Sequence, residues 1–476
     1  MAGHFSVLAK GMHAMNRMNL THFYSAALLV GLMLTLSPQS LAATLIVTSD
    51  QSLQTVLDNA QNGDQLQLET GVYQGNFTID REITLIGKKG AIIDGGGQLD
   101  ALRVRADNVT ITNLYIRNWG RDLTATNAGI FVDKASNTLI SNNYLKGDAF
   151  GIWLDNTVSS RVLGNRVEGN SELRSADRGN GIHLSTTTDA EIRGNEVWHT
   201  RDGLYILTSN NNRLEDNYLH DLRFGVHYMY SNDNRVVGNR TERTRTGYAL
   251  MQSTRLTVTD NVSVNDKNYG VLLNFVTYST VANNHVEGVQ SSRALHAADR
   301  VSRKVEGADG KALFVYNSLY NTIRKNLFAD SDLGIHLTAG SEDNLITLNA
   351  FVGNRQQVKY VASREQEWSD QGRGNFWSDY LGWDMDGDGM GDVAYEPNDS
   401  MDQVLWRYPL SRVLVNAPAV ELLRWVQREF PVFKAQGVRD SFPLMANPVR
   451  LKSGSIKDVE QGQVMRTAEQ KEVETL

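Results

Sequence analysis

Four aspartates crowd the segment Asp384-Met385-Asp386-Gly387-Asp388-Gly389-Met390-Gly391-Asp392. Carboxylates at loop positions 1, 3, 5 and 9 with Gly at position 6 are the oxygen-rich spacing that wraps a backbone around a hard cation, and the Met390 carbonyl at position 7 adds an oxygen. Calcium is the expected ion. Position 12 is Tyr395, where a helix-loop-helix sensor carries Glu, so the site is expected to be structural. A second constellation is soft. With no cysteine in the chain, a soft metal must be held by His and Met. In segments that begin with Gly and alternate like strands, the residues two and four after the Gly point outward. That places His183, Tyr205 and His227 in one outward column on successive segments, and Met229 and Met251 in the next. His227 and Met229 are then roughly 7 Å apart at Cα, and stacked Met229 and Met251 about 4.8 Å apart. Imidazole and thioether suit Cu(I), and a site without thiolate holds it weakly enough to release it. A third pair, Asp133 and Asp155, sits at equivalent positions of adjacent segments, as two carboxylates must for acid/base work on a sugar.

The elements that position these residues repeat. Gly-led segments start at Gly129, Gly151, Gly181, Gly203, Gly225, Gly247, Gly270 and Gly334, at intervals of 22, 30, 22, 22, 22, 23 and 64. An independent marker, a turn Asn, recurs from Asn143 to Asn349 at intervals of 22, 30, 22, 22, 22, 23, 42 and 23. Period-2 alternation within each unit marks strands, and no apolar period of 3.6 lasts through one. The expected fold is all-β: a right-handed parallel β-helix, or solenoid, of repeats of about 22 residues. The longer intervals locate insertions near Gly169 to Arg178 and Val289 to Gly310, the latter carrying Arg293, Arg300, Arg303 and Lys304.

The flanks differ. Lys10 and Arg17 precede the apolar run Ala26 to Leu36, and Ser40-Leu41-Ala42 offers a cleavage site, so residues 1–42 read as a signal peptide, with Met15 or Met18 as alternative starts. Leu53, Val56, Leu57 and Ala60 fall at helical spacing behind Ser52, which predicts a short helix capping the open end of the stack. The β-helix is expected over 43–360, an aromatic and Asp-rich segment over 361–412, a C-terminal helix and docking segment over 413–450, and a disordered tail over 451–476. In the helix, Val420, Leu423, Val426 and Phe430 recur at helical spacing, and Phe433 follows the break at Pro431. Such a stripe, with Phe442-Pro443-Leu444-Met445 beyond it, fits either the last coil or a membrane partner. The net charge of −7 and the lack of a basic tract give no case for nucleic acid. Nothing after the signal segment is long and apolar enough for a transmembrane helix, which points to the periplasm or another extracytoplasmic space.

The export signal, the β-helix units, Asn375-Phe376-Trp377-Ser378-Asp379-Tyr380, the Asp384 to Asp392 loop and Phe430-Pro431-Val432-Phe433-Lys434 together resemble the NosD family. That resemblance implies a non-enzymatic periplasmic β-helix in the maturation of nitrous oxide reductase, working with an ABC-type permease and ATPase and a copper chaperone to supply the copper centre. It carries over no catalytic residues. On it, His227, Met229 and Met251 are read as a transient Cu(I) transfer site, and His183 and Tyr205 as a chaperone contact. The apolar stripe is then read as the docking element for the permease. Two other classes remain: a β-helix polysaccharide lyase, hydrolase or epimerase using Asp133 and Asp155, and a purely structural or adhesive module.

Overall fold

The computed structural model describes residues 42–292, 309–338, 340–361, 364–398, 417–429 and 437–449. The signal-peptide reading, the basic part of the second insertion, Phe430, Phe433 and the tail lie outside the described residues. From Thr44 the chain coils into a parallel β-helix of three sheets, with 13, 12 and 13 strands. Every ladder is parallel, and each turn contributes one strand to each sheet, as the 22-residue period requires. The 12-stranded sheet holds the Gly-led strands, six residues long in Phe150–Asp155, Phe224–Met229 and Thr246–Met251.

Alternation sets the inside. Ile152 and Leu154 are fully buried, as are Leu204, Ile206, Val226 and Tyr228, so positions one and three after the Gly fill the solenoid. The Gly marks where backbone crosses tightly over the core. A Cβ at Gly151 would lie 2.4 Å from Val167 Cγ1 and 2.5 Å from the Gly181 carbonyl oxygen, and one at Gly225 2.4 Å from Thr241 Cγ2. The turn Asn builds a second, polar spine. Asn239 Oδ1 accepts the Asn217 amide at 3.1 Å and its Nδ2 at 2.8 Å, while Asn239 Nδ2 donates to the Leu214 carbonyl at 2.8 Å. The same relation runs unbroken from Asn143 to Asn375.

Both ends are closed. Ser52 caps the helix Leu53–Asn59 by accepting from the Thr55 amide at 3.3 Å, and Leu53 and Leu57 are buried. Gln54 clamps that helix to the first strand of the 12-stranded sheet through the Thr78 amide at 2.9 Å and carbonyl at 3.1 Å. At the other end the sequence expectation needs correcting. The repeat does not stop at Asn349 or at residue 360: Asn375 takes the next rung of the Asn ladder, and Phe376–Trp377 is the last strand of its sheet, paired with Ala350 and Phe351. A 26-residue interval hid that rung. Asp440 then ends the ladder, accepting from the Asn375 amide at 2.7 Å and Trp377 Nε1 at 2.8 Å. Rings of Phe351, Trp377 and Tyr395 stack over the core, with centroids 4.4 Å and 4.6 Å apart. Leu444, expected in a docking segment, is buried in this cap, bridging Phe376 and Met390.

Candidate functional site

The outward face of the 12-stranded sheet carries two columns. The register pairs Phe131 with Trp153, Trp153 with His183, His183 with Tyr205 and Tyr205 with His227. Their ring centroids follow at 5.9, 3.7, 4.7 and 4.7 Å. In the neighbouring column Leu207, Met229 and Met251 are register partners, and both methionines are half-buried. Parallel pairing in register stacks Met229 and Met251 on adjacent coils of the outer face, since a slip of one residue would turn either inward.

His227 is held more firmly than a surface histidine. Its Nδ1 lies 2.9 Å from Asp202 Oδ2, and Arg223 donates to the same carboxylate from Nε at 2.7 Å and from its terminal nitrogen at 2.6 Å. Asp202 is fully buried and His227 only 8% exposed. Burial works to raise the Asp202 carboxyl, but the bonds from His227 and Arg223 outweigh it and hold it below the usual range. An ionised carboxylate only accepts, so Nδ1 of His227 is the donor in this contact. A carboxylate fixing the far nitrogen of an imidazole is the recurrent support for a metal-ligating histidine. The sequence reading missed Asp202 and Arg223, although their signal is present: Asp202 directly precedes Gly203, and Arg223 stands two before Gly225 on the next coil.

His183 sits differently. It is 5% exposed, burial pushes its imidazole down to about 3, and its Nε2 has no hydrogen-bond partner. His183 and His227 are thus about equally covered, and what separates them is that no carboxylate braces the His183 ring; Tyr205 between them is half-buried. Asp133 and Asp155 are register partners, yet Arg103 holds Asp133 at 3.1 Å with Arg105 at 3.8 Å.

In the acidic loop the side chains of Asp384, Asp386 and Asp388 converge, with one oxygen from each inside a 4.8 Å spread. Asp392 turns back to the loop and accepts from the Met385 amide at 2.7 Å. The Asp388 amide donates to Asp386, but the neighbouring carboxylates win and raise the Asp386 carboxyl. The loop is tied to the end cap by Gly391 N to Pro443 O at 2.8 Å and Met445 N to Gly389 O at 3.0 Å. Beyond the coils the helix Pro418–Glu429 buries Val420 while Leu423 and Val426 are 50% and 38% exposed, alongside exposed Leu422 and Trp425.

Fold and site together define a class: a capped parallel β-helix whose outer face carries an ion-pair-braced imidazole beside paired thioethers. The family model described as "Periplasmic copper-binding protein (NosD)" matches residues 163–382, and a model described as "Protein of unknown function (DUF1565)" matches 58–240. The chain is 63% identical to the "Probable ABC transporter binding protein NosD" of Pseudomonas aeruginosa, over 82% of this chain and 90% of that one. It is 55% identical to the protein of the same description from Stutzerimonas stutzeri, over 89% of this chain and 95% of that one. This chain belongs to the NosD family. Among solved structures, the Dettilon tailspike protein aligns with a TM-score of 0.50 at 14% identity, covering 67% of this chain and 68% of that one, a likeness of fold alone.

Proposed function

We propose that this protein is a periplasmic, non-enzymatic scaffold that receives copper from a copper chaperone and passes it toward the copper centre of nitrous oxide reductase, beside an ABC-type permease and ATPase. The observation that carries the reading is His227, its Nδ1 braced by Asp202 and Arg223, on the same outward strand face as Met229, whose register partner is Met251. One imidazole and two thioethers form a neutral, soft donor set for Cu(I) as cargo. The relatives' description as ABC transporter binding proteins and the family's as periplasmic and copper-binding support the same reading. The test is complementation of a deletion strain. The chain with His227→Ala, Met229→Ala and Met251→Ala is expected to yield reductase depleted in copper, and copper content equal to wild type would refute the reading. An acid/base sugar chemistry finds no support at Asp133, which is committed to Arg103.

The exposed stripe of Leu423 and Val426, with Phe430 and Phe433 after it in sequence, is proposed to dock on the permease. Leu423→Asp with Val426→Asp should leave the melting curve of the β-helix unchanged and abolish co-purification with the permease. Retained co-purification would rule the helix out as the anchor.

Calcium is proposed to sit among Asp384, Asp386 and Asp388, where a cation would relieve the repulsion that raises Asp386. The ion would then brace the end cap through Gly389 and Gly391. A chelator should lower the melting temperature of the wild type by several degrees and leave Asp386→Ala/Asp388→Ala unaffected, as linkage to a lost site requires. Identical melting with and without chelator would exclude the ion.

A further inference from the structure

The turn that follows the methionine column carries exposed aromatic rings at positions where most of its sister turns carry polar residues, such as Asn156, Thr208 and Gln252 for Phe275 and Asn137, Asn211 and Arg255 for Tyr278. Phe275, Tyr278, Tyr316 and Tyr320 are 50, 62, 40 and 47% exposed. Tyr278 and Tyr320 stack with centroids 5.1 Å apart and planes within 12°, and Phe275 meets Tyr316 edge-on at 5.8 Å. Phe275, Tyr278 and Tyr320 have φ of 54, 51 and 57°, and Tyr230, just after Met229, has 53°. Left-handed backbone suits Asn and Gly and is unfavourable for bulky rings. Asn137, Asn156, Asn211 and Asn317 occupy the same conformation elsewhere in the solenoid. Lys134, Thr208, Gln252 and Arg255 take the same φ at equivalent positions, so the conformation belongs to the turn, and what sets these four residues apart is large rings open to water, which core packing does not explain.

Their position supplies the reason. Tyr316 follows Asn274 in the column that contains Met251, and Phe275 directly follows Asn274. The ledge therefore borders the thioether pair. On one side the nearby Arg255 is neutralised by Asp233, with nitrogen–oxygen distances of 2.6 and 2.7 Å, and on the other the exposed Asp343 stands one coil beyond Tyr320.

We propose that this ledge is where a folded, Cu(I)-carrying protein docks, placing its metal over Met229 and Met251 through an aromatic rim. The inference rests on the copper-handling reading and relocates the donor's contact from His183 and Tyr205, of which His183 is covered, to Phe275, Tyr278, Tyr316 and Tyr320. Rigid tyrosine and phenylalanine rings give a small contact large buried area at low entropic cost.

The test uses full-length protein with Phe275→Asn, Tyr278→Asn and Tyr320→Asn combined, a variant expected to fold because Asn tolerates these φ values. The partner is the purified periplasmic copper chaperone, metal-free for binding and Cu(I)-loaded for transfer, with a Cu(I)–chelator complex as the small donor. The variant should lose chaperone binding at least tenfold at both low and high salt and slow Cu(I) transfer from the chaperone by a similar factor. Uptake from the chelator complex should be unchanged. Unchanged chaperone binding overturns the ledge even if copper uptake is normal, and an equal loss of uptake from both donors overturns it by making the rings part of the metal site. Failure of the wild type to take Cu(I) from the chelator refutes the copper reading separately, since metal-free chaperone binding still reports on the ledge. Loss of retention on insoluble peptidoglycan with chaperone exchange intact would assign the rings to a glycan instead, and would also overturn the proposal.

Discussion

Asn239→Ala should be among the most damaging single substitutions in the coils, although it removes only a small amide. Asn239 is fully buried. Its loss strips an acceptor from the Asn217 amide and side chain and a donor from the Leu214 carbonyl and Asn261 Oδ1. An orphaned buried group costs roughly 1–3 kcal/mol, so the sum is on the order of 5 kcal/mol. A solenoid transmits such damage only to its neighbours, so amide exchange should accelerate around Asn217 to Asn261 and little at either end. Arg235→Ala, on the exposed face of the same turn, should change stability by less than about 0.5 kcal/mol. A comparable melting temperature for the two variants would mean that the spine is decorative.

Asp440→Ala should open the C-terminal end. Four N–H groups converge on that carboxylate: the Asn375 amide and Nδ2, Trp377 Nε1 and the Phe442 amide. Removing it leaves the buried Asn375 amide and Trp377 Nε1 unpaired, while Asn375 Nδ2 keeps the Ile346 and Trp368 carbonyls, at a cost of roughly 2–6 kcal/mol in total. It also loosens the cap over the strand edge of Phe376–Trp377, and an uncovered edge recruits other chains. Concentration-dependent association in sedimentation should therefore accompany the lower melting temperature. Asp440→Asn should be milder, because the amide oxygen can take the place of Oδ2. Burial pushes the Asp440 carboxyl up to about 6 against the pull of its N–H donors. A group raised above its unfolded value contributes stability that is full at acid pH and lost as pH rises through about 6. The Asn variant should flatten that part of the profile.

The legibility of the molecule follows the range of its interactions. Gly151 and Gly225 recur because a Cβ there meets core atoms of the next turn, and Asn239 because it must reach a neighbour about 22 residues away. Both constraints are imposed at every coil, so they surface as a period. The same period places His183, Tyr205 and His227 in one column and Met229 beside Met251. What it could not show are contacts made once. Asp440 lies 65 residues from Asn375 in sequence, and the rung at Asn375 is displaced by the 26-residue interval before it. The bracing of His227 by Asp202 and Arg223 depends on side chains leaning across a turn, which alternation does not encode. Burial of His183 follows from Trp153 stacked at 3.7 Å and Phe150 edge-on at 5.7 Å, again a matter of packing.

Anaerobic Cu(I) titration against a competing chelator isolates the metal site itself, because it needs neither partner nor reductase. The wild type should bind one equivalent, Asp202→Asn should bind it more weakly by roughly 10- to 100-fold because the carboxylate that holds the His227 ring is lost, and His227→Ala/Met229→Ala/Met251→Ala should bind none. Stoichiometric binding of equal strength by wild type and triple variant would contradict the account.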